Sequence, residues 1–393
     1  MTTGALSGVR VLDLSRVLAG PWSAQMLADF GADVIKVERP GSGDDSRGWG
    51  PPFYEGPNGQ RASAYFCATN RGKRSVVLDL SVKQDVESIR QLANQCDVLV
   101  ENFKAGTLRR LGLDYESLSK TNPRVVYCSI TGFGQTGPYA SRPGYDTIVQ
   151  GLGGLMSITG RPDGTPGEGP TKVGAPVIDV MTGVYAFGGI ALALLEREKS
   201  GKGQHIDLAL LDVGVTALSV IAANYLASGK VPTRHGNELA SAVPSDALRC
   251  TDGYVMIMVG TNAQFCKLCD CIGRPDVARD GRFLTNESRV KARTEIMGIL
   301  LPVFAAQSRK YWIDVLSAAG VPCGPINEFD DVFADPQIQA RGAVVTFADT
   351  PVGDIRVLGN PLQFSRTPVH PTSPPTQLGS TAIDPVNPGS VWR

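Results

Sequence analysis

The alternation of short apolar strands with helix-forming segments across the first 130 residues is the feature that most limits the fold. VRVLDL (9–14) reads as a strand, WSAQMLADFG (22–31) as a helix ended by Gly31, and ADVIKVE (32–38) as a second strand. SVVLDL (75–80), a helix over 83–95, DVLVE (97–101), a short helix near 107–111 and RVVYCSI (124–130) continue the rhythm. Strands separated by helices cannot close as hairpins and need crossovers, so the pattern predicts a parallel α/β sheet with helices on both faces. The loop after the first strand, SRVLAGPWSA, has no GxGxxG, so the usual dinucleotide fingerprint is absent from it.

Beyond this region the rhythm changes. Residues 131–175 are rich in glycine, which suits loops that bring backbone N–H groups close to a ligand. A small-residue helix is expected over 181–196, a strand at HIDLAL (205–210) and a buried helix over VGVTALSVIAANYLASG (213–229). GKVPTRHGNELASAVPSDA (229–247) reads as a linker, and DGYVMIMVG (252–260) opens a second, mainly helical unit that runs to about 320. The tail from 339 returns to short strands and Pro-rich turns.

With 393 residues, 42% of them hydrophobic, the chain can build more than one core. Lys plus Arg and Asp plus Glu both number 38, so no net charge or basic face points to a nucleic-acid partner. The 213–229 run is short for a membrane span and contains Asn224, so no membrane association is expected. The N-terminal segment lacks the long apolar core of a secretory signal, and eight scattered cysteines favour reduced thiols; both fit a cytoplasmic setting.

Few motifs carry chemistry. Cys266, Cys269 and Cys271 cluster in QFCKLCDCIG, but without a paired knuckle they read as core-facing residues of a helix, and no metal is expected. His205, His235 and His370 stand in no metal-binding or triad context, and there is no GxSxG elbow. NRGKRS (70–75) and Arg39 sit at strand or loop boundaries, where they suit either phosphate binding or a solvated turn. The remaining oddity is Asp179, a lone carboxylate among Val177, Ile178, Val180 and Met181. An unpaired buried acid is costly, so it is a helix N-cap, a buried hydrogen-bonded acid, or a nucleophile in a dry pocket flanked by glycine loops.

Taken together, the blocks resemble the class III CoA-transferases, the family of formyl-CoA and carnitine CoA-transferases. VRVLDLSRVLAGPWSAQMLADFGADVIKVERPGSGDDSR, NRGKRSVVLDL, DVLVENFKAGTLRRLGLDYESL, NPRVVYCSITGFGQTGPYASRPGYD, GKGQHIDLALLD, DGYVMIMVGTNAQF and VPCGPIN match that family in order. The resemblance implies a large Rossmann-like domain built from 1–228 and 331–393, a smaller α+β domain over 229–330, and an interlocked, ring-like homodimer. It implies that Asp179 is the catalytic nucleophile, with no permanently bound cofactor and a coenzyme A thioester as substrate. It places Val17, Leu18, Arg39, Lys73, Arg74, Asn102, Lys104, Arg109 and Tyr145 as CoA contacts, with Asp146 beside the active site. The VGTNAQF loop, with Gly260 and Gln264, matches the family's lid over the intermediate.

Among the transferases, the blocks most resemble those that use succinyl-CoA and short dicarboxylates such as glutarate. A second carboxylate calls for a basic partner, for which Arg142 and Arg234 are the candidates. The alternative is an α-methylacyl-CoA racemase of the same fold. Racemases carry a histidine base where Tyr145 stands, and a phenol with a pKa of about 10 is a poor base at neutral pH.

Overall fold

The computed structural model describes residues 4–369 and 373–392; His370 lies outside them. The chain divides into two compact units. One comprises the described residues of Met1–Met156, Lys172–Lys230 and Gln339–Arg393, the other Ser157–Thr171 and Val231–Ile338. Ser157–Thr171, expected within the first segment of the large domain, thus groups with the second unit.

The first unit is built on β1 (Arg10–Asp13), α1 (Ala19–Asp29) and β2 (Asp33–Glu38), followed by a small hairpin, β3 (Phe53–Glu55) and β4 (Arg61–Ser63). Next come α2 (Ala64–Thr69), β5 (Lys73–Val77), α3 (Lys83–Ala93), β6 (Val98–Glu101), α4 (Tyr115–Leu118) and β7 (Val126–Thr131). Then α5 (Asp146–Leu152), α6 (Leu155–Ile158, whose last two residues group with the second unit), α7 (Val177–Ser200) and β8 (His205–Ala209) follow. Six strands pair in parallel in the order β5-β2-β1-β6-β7-β8. Period-two alternation sends Val11, Val34, Val98 and Val126 to one face, where α1 and α7 cover them with Leu27, Ala186 and Ile190. Leu12, Ile35 and Leu99 point to the other face and meet Val86, Ile89 and Leu92 of α3. Each such fully buried aliphatic side chain contributes roughly 1.5–3 kcal/mol.

Local chemistry sets the helix starts. α1 begins at Ala19, three residues before the expected start. Pro21 is tolerated there because first-turn N–H groups have no intrahelical partner. α1 and α7 approach closely: a Cβ on Gly183 would lie 2.9 Å from the Ala19 carbonyl oxygen. The expected single buried helix over 213–229 is corrected. It is two helices, α8 (Leu210–Ala217) and α9 (Ser219–Ser228), bent by 75° where Ser219 takes φ +46. Far from being buried, α9 has no buried residue, and Leu226 is 81% exposed.

The second unit has its own core. β9 (Ser245–Cys250), β10 (Gly253–Met258) and β11 (Cys323–Pro325) form an antiparallel sheet. Helices α10 (Asn262–Cys271), α11 (Pro275–Arg279), α12 (Asn286–Lys291), α13 (Arg293–Phe304) and α14 (Arg309–Ala318) follow β10 in the chain. Phe265, Leu268, Phe304 and Trp312 fill the centre. Cys269 belongs to this core, and Cys271 donates to the Val315 carbonyl at 3.9 Å. In the first unit, β12 (Val344–Thr350) and β13 (Gly353–Leu358) form an antiparallel hairpin.

Candidate active site

In a parallel sheet, crossovers gather the loops that follow the strands at one edge, and ligands bind there. A cavity of about 260 Å³ lies at this edge of the first unit. Its wall is formed by residues just past four strands: Arg16–Ala19 after β1, Asn102–Ala105 after β6, Thr131 and Gly132 at the end of β7, and Leu210 after β8. Asp45, Ile130, Ala140, Arg142–Tyr145 and Asp179 complete it. The loop carrying Tyr145 is drawn against β7 because Gly132 and Gly144 touch; a Cβ on Gly132 would sit 2.6 Å from the Gly144 Cα. A second cavity of about 220 Å³ shares Arg16 and Phe103 with the first and extends to Lys36, Arg39, Leu78 and Leu80.

Asp179 occupies the first turn of α7. It is not the cap of that helix. Pro176, at the N-cap position, offers no side-chain acceptor, and the carboxylate of Asp146 takes its place. Asp146 Oδ2 accepts from the Ile178 N–H at 2.8 Å and the Asp179 N–H at 3.2 Å, while Gln150 Nε2 donates to its Oδ1 at 2.6 Å. Asp146 is 8% exposed. With capping supplied from α5, the Asp179 carboxylate has no hydrogen-bond or ion-pair partner among the described residues and faces the cavity. Burial, and secondarily the Asp146 charge beside it, pushes its pKa up to about 7. The partial positive charge at the start of α7 acts in the opposite sense.

The turn after β1 is held by an unusual set of buried charges. Val17 adopts φ +72, a left-handed conformation that costs a β-branched residue on the order of 1–3 kcal/mol. Asn102 accepts from the Arg16 N–H at 2.9 Å and donates to the Arg16 carbonyl at 2.7 Å. Both oxygens of Asp44 accept from the Val17 N–H at 3.2 Å. Lys36 pairs with Asp44 at 2.9 Å and donates to the Ser15 carbonyl at 2.8 Å. Burial would raise the Asp44 carboxyl, but Lys36 and Ser46 hold it well below the usual carboxylate range.

The expected CoA contacts separate into two groups. Val17, Leu18, Asn102, Lys104 and Tyr145 line the Asp179 cavity, as does Arg142, whose guanidinium stacks 3.9 Å over the Tyr139 ring. Arg39 lines the adjoining cavity, where it bonds Ser42 at 2.6 Å and Asp45, and Arg109 lines a third, larger recess. Lys73 and Arg74 are corrections. The Lys73 ammonium is buried, and its donors go to Asp13 at 2.8 Å, the Pro21 carbonyl at 2.9 Å and Asn70 at 2.9 Å. Burial, only partly offset by Asp13, lowers its pKa to about 8. Arg74 forks onto Asp33 at 2.6 Å and 2.7 Å and donates to the Val391 carbonyl at 2.6 Å. Lys73 has no donor left for a phosphate, and all but one of the Arg74 N–H groups are taken.

Gly260 and Gln264 lie in the second unit, where the Gln264 side chain accepts from the Gly260 and Thr261 N–H groups at the start of α10. Arg234, also there, is paired with Asp163 and donates to the Arg161 and Ser157 carbonyls. Two residues escaped sequence reasoning. Asp44 holds the Val17 turn, and Tyr65 has its hydroxyl pushed up to about 12 by burial and by the Asp179, Asp146 and Asp44 charges. Nothing in GDDSRG or AYFCAT marks either locally; only the crossovers bring them here.

This geometry, an unpartnered carboxylate at the strand ends of an α/β unit, coincides with a match to the model of CoA-transferase family III over residues 6–381. The chain belongs to that family. It is 47% identical over 375 residues to a succinate–glutarate CoA-transferase of Agrobacterium fabrum, covering 95% of this chain and 93% of that one. A succinyl-CoA:glutarate CoA-transferase of Mus musculus is 42% identical over 374 residues, covering 95% and 84%. The crystal structure of a CaiB/BaiF family protein from Brucella suis superposes with a TM-score of 0.87 at 44% identity, covering 99% and 98%. The protein is thus a class III CoA-transferase with the mixed α/β fold of that family.

Proposed function

We propose that this class III CoA-transferase moves CoA from a donor such as succinyl-CoA to a short dicarboxylic acid, with Asp179 as the covalent nucleophile. The observation that carries the reading is the Asp179 carboxylate itself: free of partners among the described residues, relieved of capping by Asp146, and open to the cavity. Its raised pKa marks a carboxylate poorly solvated in its charged form, which makes it a stronger nucleophile than a hydrated one.

An Asp179 oxygen attacks the donor thioester carbonyl, and the tetrahedral oxyanion collapses with loss of CoA thiolate. This leaves a mixed anhydride. The thiolate then attacks the aspartyl carbonyl, expelling the donor acid and forming an aspartyl-CoA thioester. The acceptor carboxylate attacks that thioester, the thiolate leaves again, and its attack on the acceptor's acyl carbonyl releases the new acyl-CoA and restores Asp179. Each electron pair ends on an oxygen or on sulfur, and no cofactor is consumed.

Two cavities that share Arg16 and Phe103 in their walls are proposed to take an extended CoA molecule, its thioester end at Asp179. Arg142 is the cation proposed for the acid's second carboxylate. It lines the Asp179 cavity, whereas Arg234 is already paired. The relatives named for glutarate support this substrate class.

Replacing Asp179 tests the reading. Asp179→Asn keeps the side-chain shape but cannot form an anhydride, so transfer from succinyl-CoA to glutarate should fall to background while the fold is retained. Arg142→Ala should raise KM for the dicarboxylate far more than for succinyl-CoA. Substantial transfer by Asp179→Asn, or equal use of simple monocarboxylates, overturns the corresponding part.

A further inference from the structure

The turn after β1 holds a residue in a conformation it would not choose. Among the described residues only three that are not glycine have positive φ, and of these only Val17 lines the Asp179 cavity. A branched Cβ crowds the backbone in the left-handed region, so Val17 relaxes to negative φ unless something over-determines it. What over-determines it is a buried carboxylate. Asp44 is 1% exposed, and both its oxygens face the Val17 N–H at 3.2 Å.

Asp44 is itself fixed. The Lys36 ammonium lies 2.9 Å away, and the Ser46 N–H and hydroxyl donate to it at 2.9 Å and 2.8 Å. The same ammonium donates to the Ser15 carbonyl at 2.8 Å, so one buried ion pair grips the turn at two points. Asn102 holds the intervening Arg16 peptide at both its N–H and its carbonyl. A buried ion pair is weak evidence of stabilisation, because desolvation offsets the attraction. Its evident effect here is conformational: it fixes the peptide planes of Ser15–Leu18.

We propose that Asp44 is a positioning residue for CoA transfer, holding Val17 left-handed so that the Ser15–Leu18 turn stands correctly against Asp179. The proposal rests on the reading of Asp179 only for what the turn faces. Asp44 acts through Val17 rather than on substrate: it does not line the Asp179 cavity, and it meets the adjoining one with almost no exposed surface. Displacement of a reactive-site wall by about 1 Å is enough to cost roughly a hundredfold in rate.

The test is a rescue. Asp44→Asn keeps one acceptor but loses the charge opposite Lys36, and kcat should fall by about tenfold or more while KM for the acyl-CoA changes little. Glycine takes positive φ without strain, so Val17→Gly removes the tendency to relax. The double variant Asp44→Asn with Val17→Gly should recover most of the lost kcat. An unchanged kcat in Asp44→Asn, or an equal loss in the single and double variants, overturns the proposal. The second outcome would assign Asp44 to ligand contact or to bulk stability, neither of which glycine at position 17 can restore. If Asp44→Asn does not fold, Asp44→Asn with Lys36→Met removes the unpaired buried charge, and failure of Val17→Gly to rescue that variant is equally contrary. Rescue is read relative to wild-type transfer, whereas the Asp179 reading stands or falls on a covalent adduct, so the two failures are distinguishable.

Discussion

At the scale of single residues, Asp146 carries the capping that Asp179 might have supplied, and the proposal gives Asp179 the chemistry. Asp146 takes the helix N–H groups and Asp179 is left with none. The pH dependence follows from the raised pKa. On the proposed reading Asp179 attacks in its ionised form, so kcat should rise with pH through about 7 and level off above it. Stability runs the other way. The folded pKa of about 7 exceeds the ordinary 3.8, so the folded state binds the extra proton between them, and stability contributed by the protonated acid is lost as pH rises through about 7. Asp179→Asn cannot titrate, so its Tm should exceed that of wild type at pH 8 and converge with it towards pH 4. Thermal melts across that range check this; a constant difference contradicts it.

At the scale of elements, the start of α7 is where sequence and structure are most instructively compared. The lone acid in GAPVIDVMTG was visible as an anomaly, but its readings as cap, buried acid or nucleophile could not be separated locally. The deciding cap comes from α5 through a tertiary contact that no periodicity reveals. Lys73 fails for the same reason in reverse: a lysine at a strand edge reads alike whether its partner is a phosphate or a buried acid such as Asp13, and Arg74 likewise gives most of its donors to the half-buried Asp33. The strands of the sheet were legible because burial on both faces leaves near-continuous apolar runs. Helix α9 was misread because apolar composition alone does not say which neighbour covers it. Asp146→Asn should keep most of the cap yet remove the charge beside Asp179, shifting the rising limb of the pH–rate profile to lower pH. Asp146→Ala should in addition cost about 1 kcal/mol as two α7 N–H groups lose their acceptor. An unmoved limb in Asp146→Asn contradicts the electrostatic coupling.

At the scale of the whole molecule, the exposed apolar surface calls for a partner. α7 buries Ile178, Ala186 and Ile190 against the sheet, while Leu192, 68% exposed, and Leu195 lie open on it; Val220 and Leu226 of α9 are likewise uncovered. Exposed apolar side chains in this number on two helices point to an interaction face. A homodimer is the proposed occupant, and sizing combined with light scattering should return twice the 41.7 kDa chain mass down to nanomolar concentration. A folded monomer that retains transfer activity contradicts it.

The central claim, that Asp179 becomes covalently attached to CoA, is tested most directly by incubating the enzyme with succinyl-CoA and no acceptor acid, then digesting it and weighing its peptides. The account predicts a CoA adduct on the peptide that contains Asp179, converted by hydroxylamine to the aspartyl hydroxamate. An adduct on another peptide, or transfer to glutarate with no adduct at any stage, contradicts it.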